Sequence, residues 1–436
     1  MSLLDDPERR RWLVFAVLAG AFLLVNVHRL STAVLADPLA RSFDTTAAEL
    51  GTLHAAFFYV YAPLQVVAGV LADRAGIRWT AAIGTVVMSV GGVLFALAPF
   101  FPAAFAARLL VGLGGSVVFI ATLRFCANWF RPDEFATMSG VTVAIAGLGG
   151  IVATTPLALL VERTGWRQAM LGLGLVGLVV GAIVAVAARD SPADAGLPAI
   201  QGVPSAETLS LSGVLTNAKR VLGGADTWLV GIVLFCEIGV NLTVIGLWGV
   251  PYMVQNYPGV GVTEASTYAL AGSVGLLLGP PLIGRLSDRL ERRTALMVVG
   301  GVIYTAAFGI LALGTPPKFV VGIVLFTAGA LGGAFALGYA VVKEQHSAAA
   351  SGVATGTVNA IGFSGAAVFP VAMGVILDAY WTGETVAGAR VYTEFGYQVA
   401  FGLATLAGVV ALACALALHR RVGAPAAAQD AAAGDD

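Results

Sequence analysis

The sequence predicts an all-α membrane protein with twelve transmembrane helices arranged as two pseudo-symmetric six-helix bundles. Three observations predict it. Hydrophobic residues fill 58% of the 436 positions and charged residues only 11%, a balance foreign to a soluble domain of this length. Apolar segments of roughly 20 residues recur along the chain, each long enough to cross a hydrocarbon core about 30 Å thick. One long polar connection divides these segments six and six, and short motifs recur on either side of it.

In chain order the segments fall at 12–36, 50–72, 80–100, 103–127, 136–160, 166–188, 227–250, 266–284, 294–314, 318–341, 351–378 and 397–419. The first is longer than a signal-peptide core and lacks a small-residue cleavage pattern, so it is read as a retained span. Glycine is abundant in several of them, but lipid leaves the backbone little alternative to helix. The connection at 189–226, rich in Ser, Gly, Ala and Pro, is a linker between an N-terminal bundle at 1–188 and a C-terminal bundle at 227–422. The Ala-rich tail at 423–436, acidic at its end, is expected to be disordered.

With both termini in the cytoplasm, the inner regions carry sixteen lysines and arginines and the outer regions five. This positive-inside asymmetry sets the orientation expected in a bacterial inner membrane or its equivalent. Arg29, Arg108 and Arg124 remain within the apolar runs.

Several function classes drop out. The net charge of -1 and the lack of a basic patch with interleaved aromatics exclude a nucleic-acid partner. Cys126, Cys236 and Cys414 stand singly in apolar surroundings and read as small hydrophobes. No metal cluster, nucleophile-base pair or phosphate-cradling loop stands out, so neither an enzyme nor a resident cofactor is expected. The Gly-x-x-x-x-Gly-Lys-Ser/Thr motif of ATP-driven transport is also missing, which leaves solute gradients to supply the work.

The halves repeat one another. Gly69-Val70-Leu71-Ala72-Asp73-Arg74-Ala75-Gly76-Ile77-Arg78 follows the second segment, and Gly284-Arg285-Leu286-Ser287-Asp288-Arg289 follows the eighth at an offset of 215. Ser139-Gly140-Val141 and Ser351-Gly352-Val353 repeat at an offset of 212. Two nearly equal offsets argue for duplication. Gly69 and Gly284 are expected to permit close helix approach near the cytoplasmic face, and Asp73 and Asp288 to pair with arginines or helix starts there. Gly69, Asp73, Arg74, Arg78, Asp288 and Arg289 are therefore candidate gate residues, with a solvated turn that only enforces topology as the plainer reading.

On these loops, complete in the first half as Gly69, Asp73, Arg74, Gly76 and Arg78, the chain resembles the major facilitator superfamily over nearly its whole length. The run Arg108-Leu109-Leu110-Val111-Gly112-Leu113-Gly114 resembles that family's fourth-helix arginine-glycine motif and implies a coupling role for Arg108. The resemblance implies two bundles rocking about a central solute site, in a functional monomer. The second loop departs from the pattern, with Leu290-Glu291 where the first has Ala75-Gly76. Gly147, Gly149, Gly150 and Pro156 do not reproduce the glycine-proline motif of many drug exporters.

Arg29 lies deep in the first segment, where an arginine facing hydrocarbon is costly, so it should face the interior. His28 precedes it and projects about 100° away, so the two are not a pair. The neighbourhood of Arg29 resembles the organic-anion and sugar-phosphate branch of the family, which implies an arginine that binds an anionic group. Phosphate-transporting relatives have a further arginine in helix seven and a basic residue in helix two. Here Glu237, Asn241 and Gln65 stand in those places, which favours a small organic carboxylate.

His54, Phe58, Tyr61 and Gln65 share one face of the second segment, and Tyr61 and Gln65 are expected to offer hydrogen bonds to the solute. His54, near the outer end, reads as an interfacial or gating residue. Asn241 and Asn359 are further candidate solute ligands. Glu237, about 15 Å into helix seven, is the leading candidate for proton coupling. Its plainer reading is a counter-ion to Arg29 or Arg124. His28 is a second coupling candidate, against a packing histidine. Arg124 is divided between snorkelling and a cytoplasmic gate contact. Trp248, Tyr252 and Tyr339 either pack or touch solute.

The reading that follows is secondary transport of a small organic anion, with proton symport or exchange of a counter-anion. The alternatives are a proton-coupled exporter of drugs or other neutral or cationic solutes, and a transporter-like receptor that senses an anion.

Overall fold

A computed structural model describes residues 6–198, 200, 211–344, 348–386 and 388–433. The N-terminal half comprises α1 (Pro7–Leu30), α2 (Thr32–Phe43), α3 (Ala47–Leu64), α4 (Ala68–Leu97), α5 (Phe101–Trp129), α6 (Pro132–Val152), α7 (Thr155–Thr164) and α8 (Trp166–Ala187). The connection contains α9 (Leu211–Leu222). The C-terminal half comprises α10 (Ala225–Thr243), a π-helical turn at Val244–Trp248, α11 (Gly249–Asn256), α12 (Val262–Leu290), α13 (Arg293–Leu313), α14 (Lys318–Glu344), α15 (Ala348–Ala379) and α16 (Glu394–Ala433). Between α15 and α16 a short antiparallel hairpin, β1 (Trp381–Val386) and β2 (Ala389–Tyr392), pairs Thr385 with Arg390.

Among the described residues eleven helical stretches are long and apolar enough to cross a membrane. The expected twelfth is α3, whose 18 residues include Glu49, His54, Tyr59 and Tyr61. Those polar groups dilute its apolarity because the helix is enclosed by protein, packing against α15 and α5. Many of the large side chains that face outward along the spans are apolar, as at Ile83, Val179 and Leu282, the pattern of a surface solvated by lipid.

Among the described residues four spans are interrupted, the fifth between α6 and α7 at Ala153-Thr154, where Pro156 follows, and three others for reasons visible nearby. Between α1 and α2 the Ser31 hydroxyl donates to the His28 carbonyl at 3.0 Å, a side-chain bond that competes with the helical ladder. Pro63 deprives the last turn of α3 of a donor, and the helix stops before Gln65. Pro251 leaves the Leu247 carbonyl without its usual partner, and the preceding turn widens until the N–H of Gly249 reaches Val244.

The duplication is visible in the backbone. The bundles meet along α3 against α15 and α6 against α12, the second and eleventh, fifth and eighth spans. Gly76 has φ 78°, and Glu291, 215 positions on, has φ 52°. The turn thus keeps a positive φ in both halves despite the substitution, at the cost of a left-handed glutamate. A Cβ at Gly76 would run into the Asp190 carboxylate, so a larger residue there would have to displace that side chain as well as accept a strained backbone. Gly284 does not make the close approach expected of it; a Cβ there would meet nothing within 4 Å.

We call the face carrying the starts of α1 and α10 basal and the opposite face distal. Arg11 joins the start of α1 to Glu134 near the start of α6 at 2.8 Å, and Arg421 joins α16 to Asp226 at the start of α10 at 2.7 Å.

Candidate solute site at the interface of the two bundles

Arg29 lies two residues before the Ser31 break and is only 6% exposed. Its guanidinium carbon stands 5.7 Å from the ring centre of Phe363 on α15, across the bundle interface. Tyr61 is its hydroxyl neighbour, and its Nε has no hydrogen-bond partner. Its contacts among the described residues are thus aromatic and hydroxyl, with no carboxylate paired to it. A buried cation in that state keeps most of its capacity for an anion.

The ring of Phe363 lies 6.2 Å from Phe58, nearly parallel at 14°, and 4.9 Å from Tyr61, edge-on. Phe58 and Tyr61 share a face of α3, so one aromatic residue of the C-terminal bundle nests between two of the other. Phe363 escaped the sequence reading, although it lies one helical turn beyond Asn359 and therefore on the same face.

On the basal side of Tyr61, four elements are threaded by side-chain amides. Tyr339 on α14 donates to Asn359 Oδ1 at 2.6 Å, Asn359 Nδ2 donates to Gln65 Oε1 at 3.1 Å, and Gln65 Nε2 donates to the Ser116 carbonyl on α5 at 3.3 Å. Arg29, Tyr61, Gln65 and Asn359 are therefore brought together, with Tyr339 added.

Glu237 and Asn241 form a separate cluster inside the C-terminal bundle. Asn241 Nδ2 donates to Glu237 Oε1 at 2.7 Å and to the Ala328 carbonyl at 2.9 Å, while the Tyr304 hydroxyl donates to Asn241 Oδ1 at 3.0 Å. Both amide donors of Asn241 are committed, so in this conformation none is left for a solute. Glu237 is 5% exposed and packs toward Gly332 on α14. It forms no ion pair with Arg29 among the described residues; its partner is an amide.

His28 and Arg29 diverge as helical geometry requires. The His28 ring lies against Gly92 of α4, with neither nitrogen hydrogen-bonded, away from the interface. Its backbone is what matters to Arg108, which donates to the His28 carbonyl at 2.7 Å and to Thr32 Oγ1 at 3.3 Å. Phe95 and Phe57 cover the guanidinium at 5.6 and 6.0 Å. Arg108 thus satisfies the carbonyl released at the α1–α2 break. His54 is buried against Gly246 of the π turn, whose Cβ would come within 3.0 Å of its ring.

The gate candidates do not converge. Gly69 and Asp73 lie on α4, but the surroundings of the one and the side chain of the other are outside what the structure describes. Arg74, Asp288 and Arg289 are exposed at the basal face. Arg78 donates to the Ala185 carbonyl at 2.6 Å and, from its backbone, to Asp190 at 2.9 Å, both within its own half. Arg124 is half-buried on α5, one turn before Asn128, whose amide reaches the Asp190 carbonyl at 2.9 Å.

The family model described as the Major Facilitator Superfamily matches residues 13–370 and, in a second match, 224–434. The chain belongs to the major facilitator superfamily. Its similarity to the "Probable sulfoacetate transporter SauU" of Cupriavidus necator is 25% identity over 318 residues, covering 71% of this chain and 73% of that protein. It is 26% identical to the "Membrane sensor protein UhpC" of Salmonella typhimurium over 399 residues, covering 86% and 87%. Among solved structures, a bacterial homolog of the human lysosomal transporter Spinster superposes with a TM-score of 0.76 at 18% identity, covering 94% of this chain and 97% of that one. This superfamily member is a multi-pass membrane protein of a transport family and not an enzyme.

Proposed function

We propose that this superfamily member moves a small organic anion, a carboxylate in the first instance, across the inner membrane by alternating access. The carrying observation is Arg29, buried at the bundle interface and faced by Phe363 and Tyr61 rather than by an acid. A fixed cation so placed recognises a carboxylate through its donors, and the Gln65–Asn359–Tyr339 chain supplies neutral polar groups beside it. The single arginine, with Glu237 and Asn241 in helix seven, favours one anionic group over a doubly charged phosphate. The name of the sulfoacetate transporter supports an organic-anion solute.

Glu237 is the proposed proton carrier, with Asn241 and Tyr304 fixing its orientation; exchange against a counter-anion is the other form of coupling. Arg108 holds the break in the first span, and His28 packs beside it. The basal face is proposed to be cytoplasmic, with Arg74, Arg78, Arg124, Asp288 and Arg289 near its gate and a monomer as the working unit. The likeness to a membrane sensor supports a second reading, in which the anion is bound and reported rather than moved. Uptake and exchange in proteoliposomes, screened over carboxylates, phosphates and neutral controls with and without a proton gradient, separates the two.

A further inference from the structure

The start of α3 lies at the distal face, and its orphan amide donors are divided between two bundles. Within the helix, Thr46 Oγ1 accepts the N–H of Glu49 at 3.1 Å and Glu49 accepts the N–H of Thr46 at 2.9 Å. The N–H groups of Ala47 and Ala48 remain, and both donate to the carboxylate of Asp378, in the last turn of α15, at 2.9 and 2.8 Å. A carboxylate placed there meets unsatisfied donors and the positive end of the helix dipole. Arg390 of β2 stands 3.5 Å from the same carboxylate. Gln255 at the end of α11 holds β2 in place, donating to the Arg390 carbonyl at 3.1 Å and accepting the Tyr392 N–H at 3.0 Å.

The same relation occurs a second time. Glu162, in the last turn of α7, accepts from the hydroxyl of Thr263, in the first turn of α12, at 2.9 Å. Glu162 and Asp378 are 216 positions apart, and Ala48 and Thr263 are 215 apart, the offset that also relates the two Asp-Arg loops. In each case a carboxylate ending the fifth or eleventh span grips the first turn of the eighth or second span in the opposite bundle. We propose that these two contacts are a duplicated latch that holds the distal face closed, and that both part when that face opens.

The copies are unequal. Asp378 is partly buried and takes two backbone donors and an arginine, whereas Glu162 is exposed and takes one hydroxyl. Releasing Asp378 should therefore shift the equilibrium more, by about fivefold in the distal-open population, as expected for one charge-to-helix-start contact.

The latch rests on the alternating-access reading, but its test needs no solute, so a wrong solute assignment leaves the readout intact. Spin labels are placed at Phe100→Cys, in the distal loop after α4, and Leu313→Cys, the exposed last residue of α13, in a chain whose three native cysteines are replaced. Distance distributions are recorded by double electron–electron resonance in lipid nanodiscs. Asp378→Asn should enlarge the long-distance population about fivefold, Glu162→Gln by a smaller factor, and the double variant most. Superimposable distributions for parent and double variant overturn the latch. Glu162→Gln alters an exposed side chain and reads the second copy alone; no shift there overturns the duplication.

Discussion

Asn359 on α15 donates its amide to Gln65, the residue that caps the end of α3, at 3.1 Å, a side-chain hydrogen bond that crosses from one bundle to the other. Each partner is committed on its far side too, Asn359 to Tyr339 and Gln65 to Ser116. Removing either amide strands the other. In the thermal unfolding of the purified protein, Gln65→Ala and Asn359→Ala should each lower the midpoint. A double-mutant cycle should return a coupling of about 0.6 kcal/mol, the usual worth of an interhelical bond in a membrane protein. Strict additivity would show that the contact carries no energy.

Phe363 covers one face of Arg29 and fills the space between Phe58 and Tyr61. Phe363→Ala should leave the protein folded and raise KM for the anion about fivefold through loss of the cation–π contact and of the aromatic wall. Phe363→Tyr, which keeps the ring, should stay within about twofold. Saturation curves of anion uptake decide it, and an unchanged KM in the alanine variant excludes Phe363 from the site.

The two-bundle fold was legible because its cause is composition: long apolar runs, a polar linker and a repeated Asp-Arg loop leave few other arrangements. Arg29, Tyr61, Gln65 and Asn359 were legible as well, since a polar residue inside a span must turn inward. What escaped depends on partners far apart in sequence. That Asn241 would spend its amide on Glu237 and Ala328 requires knowing that α14 lies alongside α10. Asp378, at the end of the eleventh segment, shows no partner until α15 is placed against the start of α3. The hairpin at Trp381–Val386 and Ala389–Tyr392 carried only a weak turn signal at Gly383 and Gly388.

Gly374 separates a tight backbone contact from an open one. A Cβ there would stand 2.4 Å from the Ala47 carbonyl, whereas one at Gly284 would meet nothing within 4 Å. Gly374→Leu should therefore push α15 from α3 and lower the thermal midpoint by several degrees, corresponding to roughly 1–3 kcal/mol of overpacking. Gly284→Ala should change it by no more than about 1 °C, the effect of an ordinary exposed substitution. Equal effects at the two positions would contradict the packing described for α3 and α15.

Glu237 is held by the Asn241 amide and has no arginine partner among the described residues. Glu237→Gln keeps the side chain's shape and can still accept that amide's donation, but it carries no exchangeable charge. Stimulation of uptake by an inward proton gradient should disappear in this variant, while exchange of one anion for another at equal pH persists. The comparison of gradient-driven and exchange fluxes in the same proteoliposomes checks it; a gradient response equal to that of the parent removes Glu237 as proton carrier.

The central claim is that Arg29 is the cation that receives the solute's negative charge. Saturable anion uptake into proteoliposomes measures it most directly, comparing the parent with Arg29→Ala and Arg29→Lys after both variants are shown to be monodisperse. The account predicts that uptake is lost in the alanine variant and reduced at least about tenfold in the lysine variant, which keeps the charge but not the planar donors. Uptake by Arg29→Ala with unchanged affinity would contradict it.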